Sequence, residues 1–251
     1  MAFDVAADAY DSFMGRYSSR LAPQMADLAR VEPGQRVVDV GCGPGALTAE
    51  LVARLGADGV AAIDPSASFV AAARERHPGV DVRLAAAEEL PFADDSFDAA
   101  LAQLVVHFMA DPVRGLTEMR RVTRPGGSVA ACVWDHAGGH TPISPFWVVA
   151  RELDPGVDDE SDLAGAREGA LGELFRQAGL QDVDETKLPV RGEHATFEDW
   201  WQPFTLGVGP AGSYFQQRTP EQQAELERRC REQLTPPISL ETWAWAARGI
   251  A

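Results

Sequence analysis

The stretch Val37-Val38-Asp39-Val40-Gly41-Cys42-Gly43-Pro44-Gly45-Ala46 constrains the fold more than any other part of this chain. A short apolar strand runs directly into a glycine-rich turn, and Leu47, Leu51 and Leu55 then recur at helical spacing. Such a strand–turn–helix unit opens a parallel sheet and sets a ligand crevice at the carboxyl end of its first strand. Glycine suits the turn because it adopts φ > 0 readily and lets the backbone approach a ligand closely. The ligand class this points to is an adenosine-type cofactor.

The rest of the chain keeps the same rhythm. Apolar runs predict strands near 36–40, 59–64, 80–85, 97–103 and 128–134, with helices near 45–56, 66–77 and 111–124 between them. This alternation predicts an α/β fold with a doubly wound parallel sheet and right-handed crossovers. Upstream, residues 4–30 carry Tyr10, Phe13, Met14, Tyr17, Leu21, Met25 and Leu28 in helical proportion. After Trp134 the rhythm breaks into a Gly-, Pro-, His- and Asp-rich stretch over 135–168. A helix is expected at 168–179, capped by Gly179, then a strand at 181–190 and another at 239–248. Thr219-Pro220-Glu221-Gln222 has the residues of a capping box and predicts a helix running to about Leu234.

The glycine turn also satisfies the dinucleotide pattern, with Gly41, Gly43 and Ala46 in register and Asp64 where a ribose-binding acid is expected. Asp39 discriminates between the two. A carboxylate just before the turn would repel a pyrophosphate and suits a ligand with a positive amino group, which favours S-adenosylmethionine over NAD. A buried Asp that braces the loop is the alternative reading.

Four ordered motifs carry a family resemblance. Val37 to Gly45 resembles the first motif of the class I S-adenosylmethionine-dependent methyltransferases. Ala61-Ala62-Ile63-Asp64-Pro65-Ser66 resembles their second strand, and Glu88 to Asp98 resembles the stretch after the third strand in the ubiquinone/menaquinone-type subgroup. Leu116 to Val122 with Arg124-Pro125-Gly126-Gly127 is similar to their helix and turn before strand five. The resemblance spans roughly residues 30–135. It implies a Rossmann-like, seven-stranded sheet, mostly parallel with an antiparallel last strand, under a mainly helical cap. The expected organisation is a cap segment at 1–30, a cofactor core at 31–134, a cap insertion at 135–168, core again at 169–190, a second insertion at 191–236, and a final core strand at 237–251.

The resemblance also implies site residues. Gly41, Cys42, Gly43 and Gly45 would form the loop under the methionine and ribose of the cofactor, and Asp39 would sit near its amino group. Asp64 would accept both ribose hydroxyls, because a carboxylate offers two acceptor oxygens. Pro65 and Ser66 would flank the adenine, Ala87 and Glu88 would lie beside it, and Gln103 would face the methionine end. One position departs from the family: Ala86 stands where an Asp often accepts from the adenine amino group. S-adenosylhomocysteine would be the product.

A net charge of −16 disfavours nucleic acid and anionic membranes as partners. No run is apolar enough to span a bilayer, and Met1-Ala2-Phe3-Asp4 lacks a basic leader region. Cys42, Cys132 and Cys230 are widely spaced, odd in number and without zinc-like spacing, so a cytoplasmic location and no metal are expected. Oligomeric state is not legible.

For catalysis, His107 after strand four is the first candidate base, with His136 and His140 after strand five as second choices. Each also has a structural reading, as a helix-start or loop histidine. The aromatics Trp147, Trp200, Trp201 and Phe204 are candidates to line an apolar substrate pocket, or simply to glue the cap to the sheet. The reading is in-line methyl transfer to a small-molecule acceptor. The alternatives are an S-adenosylmethionine-binding protein with another reaction or a regulatory role, and an NAD-dependent oxidoreductase.

Overall fold

The computed structural model describes residues 10–251; residues 1–9 of the expected 1–30 segment, with the acidic start Met1 to Asp4, lie outside the described residues. Among the described residues, seven strands form one sheet: Val37–Val40 (β1), Val60–Asp64 (β2), Asp81–Leu84 (β3), Phe97–Gln103 (β4), Thr123–Trp134 (β5), Gln181–His194 (β6) and Ile238–Ile250 (β7). Their order is β3-β2-β1-β4-β5-β7-β6. Strands β1 to β5 pair in parallel, while β7 runs antiparallel to both β5 and β6. This is the doubly wound, Rossmann-like sheet with a reversed last strand. Strand order switches direction between β1 and β4, so a crevice opens beyond the carboxyl ends of those two strands.

Helices cover both faces. On one side lie Arg16–Leu28 (α1) and Ala46–Leu55 (α2), and Tyr17, Leu21 and Met25 of α1 are buried with Leu47 and Leu51 of α2. Ala67–Arg76 (α3) packs Val70 and Ala73 against Ala62 and Val82. On the other side, Pro112–Val122 (α4) and Ala170–Gln177 (α6) bury Leu116, Met119 and Phe175 against Val38 and Val40. All four residues of β1 are buried, as a central parallel strand requires.

Between β5 and α6 the chain forms Ser144–Leu153 (α5). Between β6 and β7 it forms Phe197–Trp201 (α7), a 3-10 turn Gln202–Leu206, Gly209–Gln216 (α8) and Pro220–Gln233 (α9). The capping box is present: the Gln222 amide donates to the Thr219 hydroxyl and the Thr219 amide to Gln222 Oε1. These helices pack together through aromatic rings, with Phe146 stacked on Phe204 at 4.7 Å and Trp201 edge-on to Phe215 at 5.4 Å.

Three boundaries differ from the sequence expectation. Strand β5 begins at Thr123, because Thr123 already pairs with Phe97 and the Gly126–Gly127 segment exchanges backbone hydrogen bonds with Ala251. Strand β6 continues to His194 and β7 starts at Ile238, since Arg191 to His194 keep the alternating burial of a strand and pair onto Glu241 to Ile238. Residues 11–15 form a π-helical turn that runs straight into α1, so the apolar set in helical proportion upstream of the sheet lies on one continuous helical segment.

Candidate active site

The crevice is built from the β1 turn. The amides of Gly41 and Cys42 both donate to the Ile63 carbonyl, at 2.8 and 2.9 Å, which locks the turn onto β2. Gly41, at φ +73°, has no room for a side chain, because a Cβ there would stand 2.5 Å from Val105. Gly43 is the reverse case. Its φ is +54°, yet no atom lies within 4 Å of where a Cβ would point, so this face of the loop is open to a ligand. Cys42 is buried and its thiol is pushed well up by burial, which leaves it without nucleophilic character.

Two carboxylates frame the loop. Asp39 is buried; its Oδ2 accepts from the Thr48 hydroxyl at 2.7 Å, while Oδ1 has no protein partner. Burial pushes its pKa up to about 7. Asp64, at the end of β2, accepts from the Gly43 amide at 2.9 Å and the Ser66 amide at 2.8 Å. Burial lifts its pKa, and those two amides oppose the shift. An orphaned buried carboxylate oxygen, an open glycine face and a second carboxylate held by backbone amides fit a ligand with an ammonium at one end and a ribose diol at the other.

Other sequence-predicted residues have mixed surroundings. Pro65 is exposed, and Ala87 is buried in the cluster that holds Leu116 and Met119 of α4. Ser66 shares a hydroxyl contact with Ser68 at 2.9 Å. The Glu88 carboxylate accepts from the Ala110 amide at 2.7 Å and so holds the loop after β4. Gln103 is buried at the end of β4; its Nε2 donates to the Ser18 carbonyl, and its Oε1 has no partner.

Beside this crevice a cleft opens under the cap. Its cavity volume is about 30 Å³, and its walls are Tyr10, Phe13, Leu104, Phe108, Trp134 and Ile143, with His107, His136 and Glu160 among them. His107 and His136 are both buried with ring centroids 5.6 Å apart. His107 Nδ1 and His136 Nε2 have no hydrogen-bond partner. Burial pushes both rings toward neutrality: His107 falls well below the usual histidine value, with His136 adding to the effect, and His136 falls to about 4. His140 stands apart. Its Nδ1 meets Asp135 at 2.8 Å and its ring stacks on Trp243 at 3.4 Å, outside the cleft lining.

The four candidate pocket aromatics also lie elsewhere. Trp147, Trp200, Trp201 and Phe204 are all buried and none lines this cleft. The Trp147 indole donates to Glu160 at 2.8 Å and the Trp200 indole to the Pro142 carbonyl at 3.0 Å. In this structure all four make packing contacts among the helices that follow β5 and β6. The lining comes instead from the N-terminal segment, the end of β4 and Glu160, none of which composition singles out. An acid in an acidic loop, and ordinary apolar residues on a helix, carry no local mark of a cavity.

Comparison with known proteins finds similarity over the part of the chain that builds this turn. The methyltransferase domain family matches residues 38–131, the stretch that carries the β1 turn, Asp64 and His107. The likeness is to a methyltransferase domain, over that stretch of the chain. The chain is 36% identical over 150 residues to a demethylmenaquinone methyltransferase of Renibacterium salmoninarum, covering 60% of each protein. It is also 36% identical over 128 residues to a malonyl-[acyl-carrier protein] O-methyltransferase of Erwinia billingiae, covering 51% of this chain and 50% of that one. The chain thus spans about half to three-fifths of the length of these curated relatives. Equal similarity to proteins named for such different acceptors means that the shared domain does not specify the acceptor. In fold, the chain resembles a phosphoethanolamine N-methyltransferase of Haemonchus contortus solved with phosphomonomethylethanolamine and S-adenosylhomocysteine. That likeness has a TM-score of 0.61 at 17% identity and covers 99% of this chain and 57% of that one.

Among the described residues no helix is long and apolar enough to cross a membrane.

Proposed function

We propose that the chain transfers a methyl group from S-adenosylmethionine to a small-molecule acceptor held in the cleft beside the β1 turn. The observation that carries this reading is the grouping of Asp39, Gly43 and Asp64 at the strand switch point. Asp39 Oδ1 would take the amino group of the cofactor, the open face of Gly43 would lie under it, and Asp64 would accept from the ribose. Gly41, Cys42 and Gly45 complete the loop, Pro65, Ser66, Ala87 and Glu88 would border the adenine, and Gln103 the methionine end. When bound, S-adenosylmethionine supplies a sulfonium methyl that is already activated for displacement.

The protein's share is orientation, exclusion of water and, for a hydroxyl or amine acceptor, removal of a proton. His107 is the base we assign: it is neutral, lines the cleft, and has an unpartnered Nδ1 to receive that proton. His136 offers a second neutral nitrogen in the same cleft. We assign His140 to holding Asp135 rather than to the reaction.

The acidic surface supports a small-molecule acceptor over nucleic acid, and three buried free thiols support a reducing, cytoplasmic setting. Because a fold and a cofactor site do not fix the reaction, the second reading is an S-adenosylmethionine-binding protein with another role. An NAD enzyme is disfavoured by Asp39. The test is calorimetric titration of wild type and Asp64→Ala with S-adenosylmethionine, S-adenosylhomocysteine and NADH. Binding of both adenosyl ligands, no heat from NADH and loss in the variant are expected; NADH binding would overturn the reading. Release of S-adenosylhomocysteine with a methylated product then separates the enzyme from a cofactor-binding regulator.

A further inference from the structure

Among the described residues Glu160 is the one acid in the acceptor cleft. It opens a 3-10 turn, Glu160–Asp162, inside the 135–168 segment, and only 4% of its surface is exposed. Its Oε2 accepts from the Trp147 indole at 2.8 Å. No cation of the described residues pairs with it, because the neighbouring Arg151 is already bound to Asp159. Most buried carboxyl groups in proteins are matched by a cation or a full set of donors, since an isolated buried charge costs several kcal/mol. Glu160 has one donor. Burial, reinforced by Asp159, pushes its pKa up to about 7, so the side chain is poised to ionise when a cation arrives.

The rest of the cleft agrees in sign. Its other titratable groups are held neutral as well: burial pushes the Tyr10 hydroxyl up to about 12, and His107 and His136 present ring nitrogens without partners. The remaining walls are apolar or aromatic, including Tyr10, Phe13, Phe108 and Trp134. Among the described residues no Arg or Lys lines the cleft. An anionic acceptor would therefore meet a carboxyl group with no cation to hold it. A neutral alcohol would satisfy a histidine but leave Glu160 unmatched. A cation with donor hydrogens matches Glu160 and the histidines together, and aromatic rings favour it further.

We infer that the cleft selects a basic amine with an apolar body, whose ammonium group pairs with Glu160. This rests on the cleft being the acceptor site of a methyltransferase. Glu160 is a specificity-determining residue in this arrangement, and the group that receives the methyl need not be the one it holds.

The test uses matched probes of one shape: phenethylamine, 2-phenylethanol and 3-phenylpropionate, and the corresponding naphthyl amine and alcohol. Each is titrated calorimetrically into the full chain, with and without S-adenosylhomocysteine. Wild type is expected to bind amines about tenfold or more tighter than the alcohols, and the carboxylate weakest of all. Glu160→Gln keeps an acceptor for the Trp147 indole and should abolish the amine preference while leaving alcohol affinity unchanged. Equal binding of amine and alcohol by wild type, or an amine preference retained in Glu160→Gln, would overturn the inference. The wild-type contrast alone decides the matter if the variant does not fold. Failure of S-adenosylhomocysteine to bind would instead count against the donor reading, since the probe titrations stand without it.

Discussion

At the scale of single residues, the site is a contest between burial and charge. Asp39 sits in the core with one oxygen unmatched, and its pKa is lifted from the ordinary carboxylate value to about 7. A raised folded-state pKa means that the folded protein holds this proton more tightly than the unfolded chain. The stabilising contribution is thus complete below the unfolded value and is lost as pH rises through about 7. Asp39→Asn removes that loss. The melting temperature of the cofactor-free variant is expected to exceed wild type by a margin that widens between about pH 5 and pH 8. Calorimetry on the same variant should show S-adenosylmethionine bound about tenfold or more weakly, because the neutral amide cannot match an ammonium. Such a gain in stability against a loss in binding is the mark of a residue kept for function. His107 makes the complementary prediction. His107→Asn should lower kcat by about 10²- to 10⁴-fold with S-adenosylhomocysteine affinity unchanged, as measured by steady-state kinetics beside calorimetry. Its lowered pKa also predicts that kcat in wild type shows no acid limb near pH 6.5, the ordinary histidine value, and falls only at lower pH.

At the scale of elements, the β1 turn is held by contacts on three sides. Its amides are tied to β2, Asp64 reaches back to Gly43, and Val105 closes over Gly41. Gly41→Ala combines a positive φ with a Cβ driven into Val105, so a loss of about 2–4 kcal/mol is expected in denaturant unfolding. Val105→Ala in the same chain should restore the part due to the clash and none of the part due to the backbone. Full restoration would show that the positive φ costs little there. The element scale is also where sequence reading was strongest. The helix after Gly45 and the capping box at Thr219 form within a residue or two of their expected bounds, because both depend on side chains a few positions apart. The long β6–β7 pairing was less legible. Arg191 to His194 alternate in burial because α1 covers one face of the strand, and Gly192 on that face leaves room for Tyr17, where a Cβ would stand 2.7 Å from the ring.

At the scale of the whole molecule, α1 ties the cofactor domain to the cap. Arg16 makes a two-toothed contact with Asp199 of α7, at 2.7 and 3.0 Å, and Tyr17 meets the buried His194 ring at 2.7 Å. Both partners of the ion pair are about one-third exposed, so solvent screening keeps its direct contribution near or below about 1 kcal/mol. Its larger effect is on geometry. Arg16→Ala is expected to raise hydrogen exchange across residues 197–216 and to raise KM for the acceptor several-fold, while S-adenosylmethionine affinity stays as in wild type. Unchanged exchange in that segment would mean that the aromatic stack around Phe146 and Phe204 holds the cap without the ion pair.

The amino-acid sequence alone determined the sheet class, the glycine turn and the two carboxylates that frame it. Each is written in contiguous residues whose periodicity, φ requirements and charge act over one strand, one turn and one helix. Only the tertiary structure decided which side chains face the cleft. Trp147, Trp200, Trp201 and Phe204 went into packing, while Phe13, Leu104, Ile143 and Glu160 came to line it. One large apolar side chain is much like another until segments more than a hundred residues apart are brought together. A single Glu among acidic neighbours shows its significance only when folding buries it in a cleft with two neutral histidines and, among the described residues, no cation paired to it.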